Sequence, residues 1–276
     1  MKYTVVTTFH EPGYKQYGQR MIQTFLQTWP AQVELVVYAE DCTVAETAPN
    51  LTVRDIAIVS KLTEFKQKWQ DVPKANGDIL SDPVRGTRKD ANKKFKWDAV
   101  RFAHKVYSIF HCAQNTNADV LIWMDADTIC HSTITLANLE TLCPESVELC
   151  YLGRYKKFSE CGLYAMKLGS KGIRRFLKEF QKVYDNAEDG IFLLDEWHDS
   201  FVFDSIRARV PGLVEHNWSA GLGDLRATKT NSPGEGHPLI NSAWGAYLDH
   251  LKGARKKTGR SLPTDLKVHR TEAYWQ

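Results

Sequence analysis

Apolar positions in the first forty residues switch between two periods. Tyr3 to Thr8 is a continuous β-branched run that predicts a buried strand, closed by a turn at Glu11 to Gly13. Met21, Ile22, Phe25, Leu26 and Trp29 then recur at helical spacing up to Pro30, and Glu34 to Ala39 reads as a second buried strand. Strand, helix and strand in that order predict the start of a parallel α/β sheet. From Val72 to Asn92 periodicity is lost among Pro, Gly, Asp, Lys and Arg, which predicts a long surface loop or a mobile lid. Val100, Ala103, Tyr107 and Phe110 stripe a helix over Trp97 to His111, and Val120 to Met124 is an unbroken apolar strand that stops at Asp125.

The second half predicts strands over Val147 to Leu152 and Gly162 to Leu168. A helix capped by Ser170 carries Ile173, Phe176, Leu177, Phe180 and Val183, and a further helix is expected over Asp195 to Arg207. The last seventy residues are loop-rich, with Gly and Pro clustered between Gly221 and Pro238. We expect one domain over residues 1–276, its part up to about residue 130 binding nucleotide and the remainder shaping an acceptor site.

Composition narrows the classes without naming one. With 276 residues, 43% of them apolar, the chain can bury a full core, and a net charge of +3 makes neither nucleic acid nor an anionic membrane the default partner. Basic clusters at Arg85 to Lys96 and Lys252 to Arg260 could meet a local anion such as a phosphate, or simply face solvent. The six cysteines form no C-x-x-C pair, so reduced thiols and a cytoplasmic location are expected. No 18-residue apolar stretch occurs, so no transmembrane segment is expected.

The chemistry is concentrated where the apolar strand ends. Asp125 and Asp127 place two carboxylates at one strand terminus, where their repulsion is costly unless a cation sits between them. A divalent ion there can bridge a diphosphate and take up charge as a bond to phosphate breaks. The line VLIWMDADT resembles the GT-A glycosyltransferases, whose apolar strand ends in Asp-x-Asp. That resemblance implies a Rossmann-like GT-A fold with a mostly parallel central sheet flanked by helices, and metal-binding roles for Asp125 and Asp127, Asp125 also facing the nucleotide-sugar.

Two further segments are similar to glycosyltransferase family 8, the group containing glycogenin and bacterial galactosyltransferases. TVVTT followed by Tyr14 resembles the family's first strand, which implies that Thr7, Thr8 and Tyr14 serve the nucleotide-sugar donor. His250, Gly253 and Lys256, in the order H-x-x-G-x-x-K, resemble its C-terminal motif: a third metal ligand, a backbone that can approach the diphosphate, and a cation for the leaving group. Where the family continues with Pro-Trp, this chain has Lys257 and Thr258. The implied activity is transfer of a hexose from a nucleotide-diphosphate sugar, UDP-sugar favoured, to a hydroxyl acceptor on a glycan or small molecule. Two carboxylates and an imidazole suit Mn²⁺ better than Mg²⁺, with Mg²⁺ possible.

Remaining candidates are less specific. Lys96 heads the basic run as a donor-site cation, and Asp195 and Asp199, on one face if the segment is helical, are candidates for contacting sugar or deprotonating the acceptor. Glu160, Cys161 and Gly162 stand where the family has its sugar-contacting segment, with different residue types. Trp197, Trp218 and Trp244 could stack on sugars or lie in the core. Two other readings use the same motif: a haloacid-dehalogenase-like phosphatase with Asp125 as nucleophile, which normally has its motif near the start of the chain, and a non-catalytic carbohydrate-binding protein that keeps the GT-A fold.

Overall fold

The structure is a computed structural model that describes residues 1–154, 157–220 and 237–276. The Gly- and Pro-rich stretch from Gly221 to Gly236 lies outside them. Among the described residues a seven-stranded sheet forms the centre, in the order β3-β2-β1-β4-β7-β6-β8. Its strands are β1 (Tyr3–His10), β2 (Glu34–Glu40), β3 (Leu51–Asp55), β4 (Val120–Met124), β6 (Leu149–Arg154), β7 (Lys157–Lys167) and β8 (Glu215–Asn217). Four pairings are parallel, and only β7 runs against its neighbours β4 and β6. This is the mostly parallel, helix-flanked α/β sheet expected from the sequence.

Both faces are covered, which explains why the strands read as unbroken apolar runs. In β4, Leu121 and Trp123 face one core with α2 (Ser60–Trp69), α3 (Ala99–Gln114) and α5 (Lys171–Asp185). Ile122 and Met124 face the other, against Met21, Ile22 and Phe25 of α1 (Gln19–Thr28) and Leu139 of α4 (Leu136–Leu142). All five residues of β4 are buried. Trp197, Trp218 and Trp244 belong to these cores as well, so none of the three is an exposed sugar platform.

Several boundaries differ from expectation; β7 begins at Lys157 and not at Gly162, so Glu160 lies within the strand. Glu11 to Gly13 is no turn: His10 caps a helical turn there, accepting from the Gly13 backbone N–H at 3.3 Å, and the chain winds through Tyr14–Gly18 straight into α1. Pro12 fits because the first turn of a helix has no intrahelical use for its missing N–H. Further on, α6 spans Asp199–Arg207, with His198 as its N-cap, so Asp195 lies outside the helix and shares no helical face with Asp199. The irregular segment after α2 is present, but it is tied down. Arg85 donates to the Leu194 carbonyl at 2.8 and 3.1 Å, and Arg88 and Lys96 reach Glu196.

A small second sheet sets up the site. β5 (Thr128–Cys130), which follows Asp127 directly, pairs antiparallel with β9 (Leu248–His250), placing His250 opposite Thr128. Asp249, fully buried, accepts from the Ser261 N–H and hydroxyl and from the Tyr274 hydroxyl, and so anchors the C-terminal segment beneath β9.

Candidate active site

β4 ends on the same edge as its parallel neighbour β1, where strand carboxyl ends deliver residues to a ligand. The Asp125 backbone N–H donates to the Gly162 carbonyl at 2.8 Å, and the Leu251 N–H donates to the Asp127 carbonyl at 2.8 Å. The loop between β4 and β5 is thereby held to β7 on one side and to the residue after β9 on the other.

Within that frame His250 Nε2 lies 3.1 Å from Asp127 Oδ1 and 3.7 Å from Asp125 Oδ2. One ligand atom from each of the three falls within 4.8 Å of the others. Burial opposes a charge on His250, but Asp127 beside it outweighs that and raises its pKa above the ordinary value. Burial likewise opposes ionisation of Asp127, yet His250 and Lys256 hold its carboxyl well below the usual range. Two carboxylates from the β4–β5 loop and one imidazole from β9, with Asp127 and His250 buried and Asp125 partly exposed, are a donor set for a divalent cation.

Lys256 completes this group. It stands on α8 (Arg255–Thr258), after α7 (Pro238–Asn241) and β9, with Nζ 2.9 Å from Asp127 Oδ2 and 4.7 Å from the Tyr17 ring centroid. Arg255 pins α8 by its ion pair with buried Asp265. Gly253 supplies the turn between β9 and α8 at φ +64°, a left-handed conformation that side-chain-bearing residues adopt only with strain. A Cβ at Gly253 would meet no atom of the described residues within 4 Å.

The structure also supplies a residue that the sequence reading missed. Lys105 of α3 is buried, and its ammonium reaches Asp199 Oδ2 at 2.7 Å, the Cys161 carbonyl at 2.5 Å and Asp125 Oδ1 at 3.3 Å. Burial alone would discharge this lysine, but Asp125 and Asp199 outweigh it and its pKa stands well above the ordinary value. Asp199, opposed by burial but favoured by Lys105, is held below the usual carboxylate range. Asp125 accepts in addition from Trp123 Nε1 at 2.7 Å. Asp199 is thus joined to the Asp125–Asp127–His250 group through one lysine.

Other expected donor residues sit on the same edge or further off. The Thr8 hydroxyl donates to the Tyr38 carbonyl at 2.8 Å, and Thr7 is buried, its hydroxyl without a partner among the described residues. Tyr14 stacks on Phe9 at 5.5 Å and donates its hydroxyl to Glu46 at 2.6 Å. Lys96 makes its ion pairs with Asp90 at 2.7 Å and Glu196 at 2.6 Å. Asp195 is exposed, and its backbone carbonyl accepts from Arg88.

No protein-family model matches the chain, and no curated protein sequence is similar to it. Solved structures are similar in fold. Mouse xyloside xylosyltransferase 1 is 12% identical over 79% of this chain and 85% of that one, with a TM-score of 0.42. A glycosyltransferase involved in glycosylation of the major capsid of PBCV-1 is 10% identical over 94% and 98%, with a TM-score of 0.45. The galactosyltransferase LgtC, solved with donor and acceptor sugar analogues, is 10% identical over 91% and 87%, with a TM-score of 0.46. At these scores the likeness is a loose one, and what the site can do follows from its own geometry.

Among the described residues no helix is long and apolar enough to cross a membrane.

Proposed function

We propose that this chain is a metal-dependent glycosyltransferase that moves a hexose from a nucleotide-diphosphate sugar, UDP-sugar favoured, to a hydroxyl of a glycan or small-molecule acceptor. The observation that carries the reading is the approach of His250 to within 3.1 Å of Asp127 and 3.7 Å of Asp125, from a strand more than a hundred residues away. A phosphatase using Asp125 as nucleophile has no need of that histidine. The carboxylate it would attack with is also engaged by Trp123 and Lys105.

In this reading Asp125, Asp127 and His250 hold Mn²⁺, with Mg²⁺ the weaker substitute. Held there, the ion would supply positive charge to offset that developing on the diphosphate as the sugar–phosphate bond breaks. Lys256 leaves Asp127 for the diphosphate, and a quarter-exposed lysine on a four-residue helix has the reach to do so. Gly253 lets the backbone come close to the same phosphates, while Thr7, Thr8 and Tyr14 border the base and ribose.

Asp199 is assigned to the sugar or the acceptor hydroxyl. Held ionised by Lys105, it can accept a hydrogen bond or proton without competing for the metal. For Asp195, exposed and outside α6, and for Lys96, committed to Asp90 and Glu196, only supporting roles at the rim of the cleft fit this arrangement.

The reading is tested by thermal unfolding against a panel of nucleoside diphosphates, each with and without Mn²⁺. Stabilisation by one nucleotide that depends on the metal is expected, on the order of several degrees at saturating ligand. No metal-dependent shift with any nucleotide would refute the assignment. Asp199→Asn is expected to lower transfer by about 10²-fold or more. Metal-dependent nucleotide binding, read by calorimetry, should stay within about threefold of the parent; equal loss of binding and transfer would move Asp199 into the metal group.

A further inference from the structure

Behind His250, on the side away from the two aspartates, lies a buried carboxylate that the proposed mechanism does not use. Glu160 of β7 is 4% exposed and surrounded by positive or protonatable groups: Lys252 Nζ at 2.6 Å, His237 Nε2 at 3.4 Å, Arg154 Nη1 at 3.7 Å and His250 Nδ1 at 4.0 Å. Burial would favour a neutral acid here, but the Lys252 ammonium, with a hydrogen bond from His237 and the charge of Arg154, outweighs it and keeps Glu160 charged. Among the described residues His250 Nδ1 has no hydrogen-bond partner although it is buried; Glu160 Oε1 faces it at 4.0 Å and accepts from the Gly162 N–H at 3.3 Å. The geometry depends on Gly162, since a Cβ at that position would stand 2.5 Å from His250 Cε1 and 2.7 Å from Nδ1.

Glu160, His237 and His250 also present ligand atoms within 4.8 Å of one another, which raises the question of a second metal. Tautomer chemistry argues against it. His237 Nδ1 accepts from the Leu239 backbone N–H at 3.2 Å as the N-cap of α7, so the proton of the neutral ring is on Nε2, facing Glu160, and the lone pair a metal would need is absent. Burial lowers the His237 pKa to about 4, so the ring is neutral. His250 has its own Nε2 turned to Asp127, leaving Nδ1 as the nitrogen that must carry the proton whenever Nε2 binds a cation.

We infer that Glu160 is the positioning residue for His250: it faces the Nδ1 proton, so that the imidazole presents the Nε2 lone pair to the ion shared with Asp125 and Asp127. A carboxylate behind a ligating histidine fixes the ring's tautomer and orientation and raises its basicity as a ligand. His237, Lys252 and Arg154 hold Glu160 itself in place, and they tie β7, the residue before α7 and the residues after β9 to one point. The inference rests on Asp125, Asp127 and His250 being the metal group.

The test is Mn²⁺ affinity, read from the free-ion EPR signal during titration of the full-length chain, together with circular dichroism to check folding. Glu160→Gln, nearly the same in volume, is expected to bind Mn²⁺ about 10-fold more weakly, and Glu160→Ala up to about 100-fold more weakly. Lys252→Ala leaves Glu160 held by His237 and Arg154 and is expected to weaken Mn²⁺ binding, by less than Glu160→Gln does. Equal and opposite shifts in Glu160→Gln and Lys252→Ala would mean that charge alone acts, which overturns the positioning role. With diamagnetic Cd²⁺ bound, long-range ¹H–¹⁵N spectra should show His250 protonated on Nδ1 in the parent; a proton-free Nδ1 overturns it too. Asp127→Asn in the same titration separates the two claims. If that variant binds Mn²⁺ like the parent, the metal group itself is wrong, whereas loss there with unchanged Glu160→Gln refutes only the role of Glu160.

Discussion

Asp127→Asn and His250→Ala are each expected to abolish metal-dependent turnover of a nucleotide-sugar, by about 10³-fold or more, while circular dichroism shows the fold retained. Asp127 is the point where the site's contacts meet. One carboxylate oxygen faces His250 and the other Lys256, and its backbone carbonyl accepts from Leu251. Asparagine keeps that backbone bond and the side-chain volume but removes the charge, so the loss reads the electrostatic role. Electrostatic stabilisation of a leaving group is commonly worth about 10²–10³ per donor, and an ion that acts on both phosphates contributes more. His250→Ala should also narrow the preference for Mn²⁺ over Mg²⁺, because the nitrogen ligand is what favours the softer ion.

The pH dependence of this site has a definite sign. The raised pKa of His250 means that, without metal, its protonated pairing with Asp127 stabilises the fold at pH values below the unfolded histidine value of about 6.5. That contribution is lost as pH rises through the folded value. Metal must displace the same proton, so Mn²⁺ affinity should climb with pH over this range. In His250→Ala the climb should flatten, and a slope unchanged from the parent would place the imidazole outside the metal shell.

How far the sequence carried the description depended on whether a feature was periodic and local. β4 was legible to the residue because an apolar run covered on both faces has no polar interruptions until Asp125. The Ser170 cap and α5 were legible for the same local reason. His250 was reached through its spacing to Gly253 and Lys256, although spacing alone is equally that of a basic helix end; its position beside Asp127 comes from the pairing of β5 with β9, which the spacing does not show. The helix start at Glu11 and the start of α6 were misread because histidine, at positions 10 and 198, serves as N-cap where Ser, Thr, Asp or Asn are the expected signals. Glu160 was singled out only by its place in the segment before Gly162; its contact with His250 was not legible, since its partners come from β6, the residue before α7 and the segment after β9.

Lys105 did leave a trace. It shares a helix row with Ile109 and Cys112, and a lysine on an apolar row of a helix that is apolar on its other side as well must find a buried anion. Lys105→Met is therefore expected to cost about 3–5 kcal/mol of stability in urea unfolding at pH 7, because it strands Asp199 in the interior. Methionine fills the lysine's volume, so the cost reflects charge more than cavity. Adding Asp199→Asn to Lys105→Met should recover a large part of it, giving a coupling of about 2 kcal/mol or more, whereas additive losses would show that the pair is not an energetic unit. The depressed pKa of Asp199 fixes the window. Its contribution is present above the unfolded aspartate value of about 3.9 and is lost as pH falls through the lower, folded value. Lys105, raised, keeps its contribution below about 10.4 and loses it only above that. The gap between Lys105→Met and the parent should accordingly shrink as pH falls, beginning above about pH 3.9 because burial without Lys105 raises Asp199 in the variant.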